Sequence, residues 1–262
     1  MDLGLKDQVV LITGGSKGIG LACALAFAAE GARVAIASRD AAHLDAAAAQ
    51  LRAAGHGVFT CAADLRDAAQ GERLAAAVQA ALGPIDVLVN SAGAAQRSPV
   101  AELTAAHWAA AMQAKFFTTI HAVQAVLPGM AARGRGAVVN IVGAGGKMAS
   151  PTHLPGGSAN AALMLASAGL ANAYGRQGVR VNAVNPGLVA TTRMQEGLAA
   201  QARASGETIE VVLQRQQAAL PQGRICTPEE VASVVLFLAS KQASYVSGAV
   251  LTVDGALTPM VV

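Results

Sequence analysis

The chemistry-bearing residues nearest the start of the chain are the glycines of Thr13-Gly14-Gly15-Ser16-Lys17-Gly18-Ile19-Gly20. They follow an apolar run and open a helical stretch. Gly14 permits a tight turn, Gly18 lets the backbone approach a diphosphate, and Gly20 lets helix and strand pack closely. The free N–H groups of the helix start then suit phosphate oxygens. The plain alternative is a glycine-rich turn that binds nothing. The spacing G-x-x-x-G-x-G also differs from the common dinucleotide fingerprint.

Such a loop needs a sheet to carry it, and the pattern supplies one. Apolar, β-rich runs at 8–14, 32–39, 57–64, 85–93, 136–143, 179–187 and 248–255 alternate with helical stretches near 18–30, 41–54, 67–82, 101–131, 158–176 and 228–240. Several runs are continuously apolar, as strands covered on both faces are. The alternation predicts an α/β fold: a single-domain, Rossmann-type, doubly wound sheet of seven parallel strands with helices on both faces. With 262 residues and no linker or repeat, residues 1–262 read as one domain. The segment 191–222 breaks the rhythm at the carboxyl edge of the sheet, where ligands bind, and reads as a substrate lid. Its Met194, Leu198, Ile209, Val211, Val212 and Leu213 suit either an apolar substrate or helix packing.

Composition narrows the class. Apolar types make up 53% and charged types 13%, which excludes a disordered chain. The formal charge of +3 comes from scattered residues, so no nucleic-acid surface is expected. Met148 to Gly175 lacks charge, but prolines, glycines and asparagines interrupt it, so no membrane span is expected. The three cysteines form no C-x-x-C pair, so no metal site is expected, and a reducing cytoplasm fits.

The motifs, taken in order, resemble those of the short-chain dehydrogenase/reductase family along nearly the whole chain. The glycine loop matches its T-G-x-x-x-G-x-G. Asp64-Leu65 is similar to its adenine-contacting Asp, and Asn90-Ser91-Ala92-Gly93 to its N-N-A-G. Asn185-Pro186-Gly187-Leu188-Val189-Ala190-Thr191 is similar to its P-G-x-V-x-T. The resemblance implies a nicotinamide dinucleotide held by Gly14, Ser16, Lys17, Gly18, Ile19, Gly20, Ser38, Arg39, Asp64, Leu65, Asn90, Ala92, Gly93, Asn160, Pro186, Gly187, Val189 and Thr191. An NAD site would end the second strand on a carboxylate for the ribose 2′-OH. Here Ser38-Arg39 stand there, with Lys17 nearby. Arg39 suits a 2′-phosphate, so the expected cofactor is NADP(H) over NAD. Asp40 reads as a helix cap.

The family's proton-transfer set is Ser, Tyr, Lys and Asn, with Tyr and Lys as Y-x-x-x-K. The two tyrosines, Tyr174 and Tyr245, are followed four residues later by Gly178 and Ala249, so no such motif exists. Gly143 stands at the Ser place, Gly156 at the Tyr place, Asn160 at the Lys place and Lys115 at the Asn place. Lys and Asn have traded helices. The swap suggests that the Lys115 ammonium enters the vacated space while Asn160 bonds the ribose. His153, before Gly156, is a candidate proton donor, as an imidazole can be near neutral pH. Lys147 is a weaker one. Three readings remain open: an oxidoreductase moving hydride between NADP(H) and an alcohol or carbonyl, a cofactor-binding pseudoenzyme serving as sensor or partner subunit, and a lyase or isomerase. The Ala-rich helix at 108–127 and the apolar helix through Ala159 to Ala166 suggest a subunit interface. The resemblance implies a homotetramer acting on a small molecule.

Overall fold

The computed structural model describes residues 2–93 and 96–259. Strands β1 (Val9–Thr13), β2 (Arg33–Ser38), β3 (Val58–Ala62), β4 (Val87–Asn90), β5 (Gly136–Ile141), β6 (Val179–Pro186) and β7 (Val250–Val253) form one sheet. All pairings are parallel, in the order β3-β2-β1-β4-β5-β6-β7. Strand order reverses between β1 and β4, which opens a crevice at their carboxyl ends. The expected α/β sheet of seven parallel strands is therefore what the chain forms.

The helices are α1 (Gly18–Ala29), α2 (Ala41–Ala53), α3 (Ala68–Leu82), α4 (Ala105–Ala111), α5 (Thr118–Ala132), α6 (Leu154–Tyr174), α7 (Thr192–Ser205), α8 (Ile209–Ala218) and α9 (Pro228–Ala239). The period of two in β1 divides the core. Val10 and Ile12 pack with Phe27 of α1 and Val235 of α9. Val9 and Leu11 pack on the other face with Leu74 of α3, Val123 of α5 and Val181 of β6. Each face of a parallel strand is thus covered, which explains the unbroken apolar runs.

Two expectations about elements need correction. The single helix over 101–131 is two α-helices joined by a π-helical turn, Met112–Phe117. At its end the Thr118 hydroxyl donates to the Gln113 carbonyl at 3.0 Å. The helix expected at 158 starts four residues earlier, because Pro155 suits the first turn. The proposed lid contains α7 and α8, whose Leu198, Ala202 and Val212 pack together with Met194 and Leu213. Those apolar residues serve the helix pair, and Ile209 and Val211 are exposed.

Beneath the crevice lies a row of buried polar side chains. Thr13, Asn90 and Asn140 are register partners across β1, β4 and β5. The Thr13 hydroxyl donates to Asn90 Oδ1 at 3.2 Å, and Asn90 Nδ2 donates to Asn140 Oδ1 at 2.9 Å. Asn140 Nδ2 donates to the Ser167 hydroxyl of α6 at 2.9 Å. Buried polar groups that are satisfied in this way fix register.

Leu11, 1% exposed at the centre of the sheet, tests the packing. Leu11→Ala is expected to cost about 2–5 kcal/mol in urea unfolding; a change under about 1 kcal/mol would contradict the described core.

Candidate active site

Backbone crowding at the end of β1 shapes the crevice. A Cβ on Gly20 would lie 2.2 Å from the Gly14 carbonyl oxygen. Gly14 has φ +66°, and its Cβ would lie 2.7 Å from the Ala92 nitrogen. Any side chain there would separate α1, β1 and β4. The first turn of α1 meanwhile has no side-chain cap from Lys17. Asp40, Asp67, Thr191, Thr208 and Thr227 do cap α2, α3, α7, α8 and α9. The N–H groups opening α1 are thus left for a ligand, and Lys17, Gly18 and Ile19 line the cavity beside them.

That cavity measures about 460 Å³. At one end it is walled by Ser38, Arg39, Asp64, Leu65 and Arg66. The Asp64 carboxylate accepts from Arg66 Nε at 3.0 and 2.9 Å and from Arg66 Nη2. This contact, helped by the Arg66 backbone N–H, holds the Asp64 pKa below its ordinary value. Asp40 is committed as well: it accepts from the His43 backbone at 3.0 Å and caps α2. Arg66 is thus spent on Asp64, and Lys17 and Arg39 stand at this end without an ion pair among the described residues.

The other end is walled by Ala92, Gly93, Lys115, Thr119, Gly143, Pro186, Thr191 and Arg193. Lys115 lies in the π turn, half-buried, and no acceptor or ion-pair partner for its Nζ is found among the described residues. Burial, and then the charge of Arg193, lowers its pKa to about 8. Arg193, in the first turn of α7, donates to the Gly93 carbonyl at 3.2 Å and so spans the crevice from the lid.

Not every expected residue reaches the cavity. Ser16, Gly20, Asn90, Gly187 and Val189 support its walls from behind and do not line it. Asn90 belongs to the polar row beneath. Asn160 is 3% exposed and sits behind Gly143, whose missing Cβ would lie 3.4 Å from Asn160 Nδ2. Its Oδ1 is buried without a partner, and the side chain is not at the wall from which the expected ribose bond would be made. Gly156 is buried in the first turn of α6 and also lies off the wall. His153, just before α6, does not line the cavity either. Burial, followed by the positive charges of Arg97, Lys115 and Arg193, pushes its pKa down to about 4. Its imidazole is therefore neutral at pH 7, which corrects the expectation of a protonated donor. Lys147 is tied to β7, donating to the Thr252 hydroxyl at 3.1 Å. Tyr174 packs into the core, and Tyr245 is fully exposed. Sequence reasoning missed Arg66 and Arg193. Each stands two residues past a motif residue, Asp64 and Thr191, and that proximity was the available signal.

A glycine cradle, an uncapped helix end and a crevice at the strand-order reversal define a fold of the dinucleotide-binding type. The sequence profile described as enoyl-(acyl carrier protein) reductase matches residues 14–258. A 2-(S)-hydroxypropyl-CoM dehydrogenase 3 of Xanthobacter autotrophicus is 37% identical over 254 residues, covering 97% of this chain and 98% of the relative. An inactive 2-(S)-hydroxypropyl-CoM dehydrogenase 2 of the same organism is 37% identical over 229 residues, covering 87% and 96%. The crystal structure of L-sorbose reductase from Gluconobacter frateurii with NADPH and L-sorbose matches with a TM-score of 0.94 at 30% identity, covering 100% of each chain. The chain belongs to the short-chain dehydrogenase/reductase family, a class of oxidoreductases acting on CH–OH and carbonyl groups. Among the described residues no helix is long and apolar enough to cross a membrane, and no group of side chains is arranged to hold a metal.

The unpaired ammonium has a thermodynamic signature. The unfolded chain keeps the Lys115 proton up to the ordinary lysine range, while the folded chain releases it near pH 8. Below pH 8 the buried charge carries its full penalty; above it the penalty is relieved. Lys115→Met should therefore raise the Tm more at pH 7 than at pH 9. Equal gains at both pH values would show that Lys115 is not desolvated.

Proposed function

We propose that this protein is an NADP(H)-dependent oxidoreductase of alcohols and carbonyls that works without the family's tyrosine. The observation that carries the cofactor reading is the pair Lys17 and Arg39 beside Asp40 and Asp64, one carboxylate spent on a helix cap and the other on Arg66. A ribose 2′-phosphate suits that charge; a free 2′-OH finds no uncommitted carboxylate there. The N–H groups of α1 and the small Gly14, Gly18 and Gly93 would take the diphosphate, and Pro186 and Thr191 the nicotinamide end. Bound there, the nicotinamide supplies or accepts the hydride.

The proton is this chain's own task. Lys115 Nζ faces the cavity and holds a proton up to about pH 8. In reduction it gives that proton to the forming alkoxide oxygen; in oxidation the free amine takes it from the alcohol. Gly143 leaves the wall opposite open, so a bulkier substrate fits. Asn160, buried behind it, shapes that wall and does not touch the cavity. Packing of Trp108, Phe117 and Leu165, the last 77% exposed, against other copies fits a homotetramer. The three cysteines are free, which suits a reducing cytoplasm.

A second reading, a pseudoenzyme that binds the cofactor without turnover, is favoured by two observations. No tyrosine lines the cavity, and one close relative is named inactive. NADPH fluorescence titration and a carbonyl screen separate the two. Arg39→Asp should weaken NADPH binding about tenfold or more and spare NADH. With a carbonyl substrate, the reduction kcat should fall above pH 8. Lys115→Met should lower it about 100-fold and abolish that fall. NADPH binding with no turnover of any carbonyl would establish the pseudoenzyme.

A further inference from the structure

Several cations on the described surface find anions. Arg66 pairs with Asp64, Arg135 with Asp86, Arg215 with Glu207, Arg224 with Glu230 and Lys241 with Asp2. The substrate end of the crevice breaks that habit. Lys115 lines it with neither an acceptor nor an ion pair among the described residues. Arg193 uses one nitrogen on the Gly93 carbonyl and makes no ion pair among those residues. Arg97, on the loop before α4, spends one nitrogen on the Thr152 hydroxyl at 3.4 Å. All three charges bear on His153, but only Lys115 and Arg193 line the cavity; Arg97 is exposed outside that lining. The one acidic residue among those lining that end is Glu196, on the exposed face of α7 and one turn past Arg193. Lys115 and Arg193, like charges at one end of the crevice, repel one another, and an anion entering between them relieves that repulsion.

We propose that the substrate is an acid, a hydroxy or oxo carboxylate, whose carboxylate is held by Arg193 while its carbonyl or hydroxyl faces Lys115. Arg193 is the specificity-determining residue. Its guanidinium offers a carboxylate two parallel N–H donors, and its place in the first turn of the lid links substrate charge to lid position. Lys115 is thereby left to the reacting oxygen. This inference rests on the reading of the crevice as an oxidoreductase site, and it names the substrate class of that site.

The test pairs acids with their neutral esters on the full-length protein saturated with NADP⁺, where a ketone binds without turning over. Acetoacetate, pyruvate and levulinate are titrated calorimetrically against their ethyl esters. At least one acid is expected to bind tenfold or more tighter than its ester. Arg193→Gln should bring that pair within about twofold, and Arg193→Lys should keep most of the preference. The proposal is overturned if no acid outcompetes its ester, or if the preference survives Arg193→Gln. It is also overturned if Arg193→Gln weakens NADPH binding and leaves the acid preference intact, which would assign the guanidinium to a cofactor phosphate. Failure of the cofactor reading looks different: NADPH would not bind the unaltered protein, and the acid–ester titrations on the protein alone would still decide the anion site.

Discussion

Where β1, β4 and α1 meet, backbone packs on backbone with no room for a single Cβ. The 2.2 Å approach that a methyl on Gly20 would make to the Gly14 carbonyl expresses that constraint. Close contact brings the first turn of α1 to the crevice mouth and keeps its N–H groups uncapped. The parallel sheet then does the rest, because every strand delivers its carboxyl end to the same edge. The polar row of Thr13, Asn90, Asn140 and Ser167 locks three strands and α6 in register just below. The crevice thus has a rigid floor, and its chemistry is left to the loops and the lid.

Charge is distributed along that crevice in two groups. At the β2 and β3 end, Asp40 is taken up in a helix cap and Asp64 in its ion pair with Arg66, while Lys17 and Arg39 carry charge without an ion pair among the described residues. At the β4 and β5 end, cations stand without partners. Holding Lys115 half-buried opposes folding, and the lowered pKa records the cost. Such a cost persists in a fold when the group serves a ligand.

The motif residues were legible from the chain because their spacing reports local geometry. The glycine loop, the seven strands and the cap at Asp40 follow from such local rules. The interrupted helix around Lys115 was not legible, since Ala-rich sequence on both sides favours an unbroken α-helix. The lid was marked only as a break in rhythm. Met194, Leu198, Val212 and Leu213 pack together, Ile209 and Val211 are exposed, and the segment's contribution to the cavity is polar.

By itself the sequence determined the alternation of strand and helix, the phosphate-directed glycines and the absence of any Y-x-x-x-K tyrosine. These depend on neighbours within a few residues, where chain geometry is nearly rigid. Only the tertiary structure decided that Asn160 hides behind Gly143, that His153 is neutral and off the wall, and that Arg193 reaches Gly93 across 100 positions of sequence. Burial, ionisation and reach depend on what the folded chain places around a side chain. No local pattern encodes that.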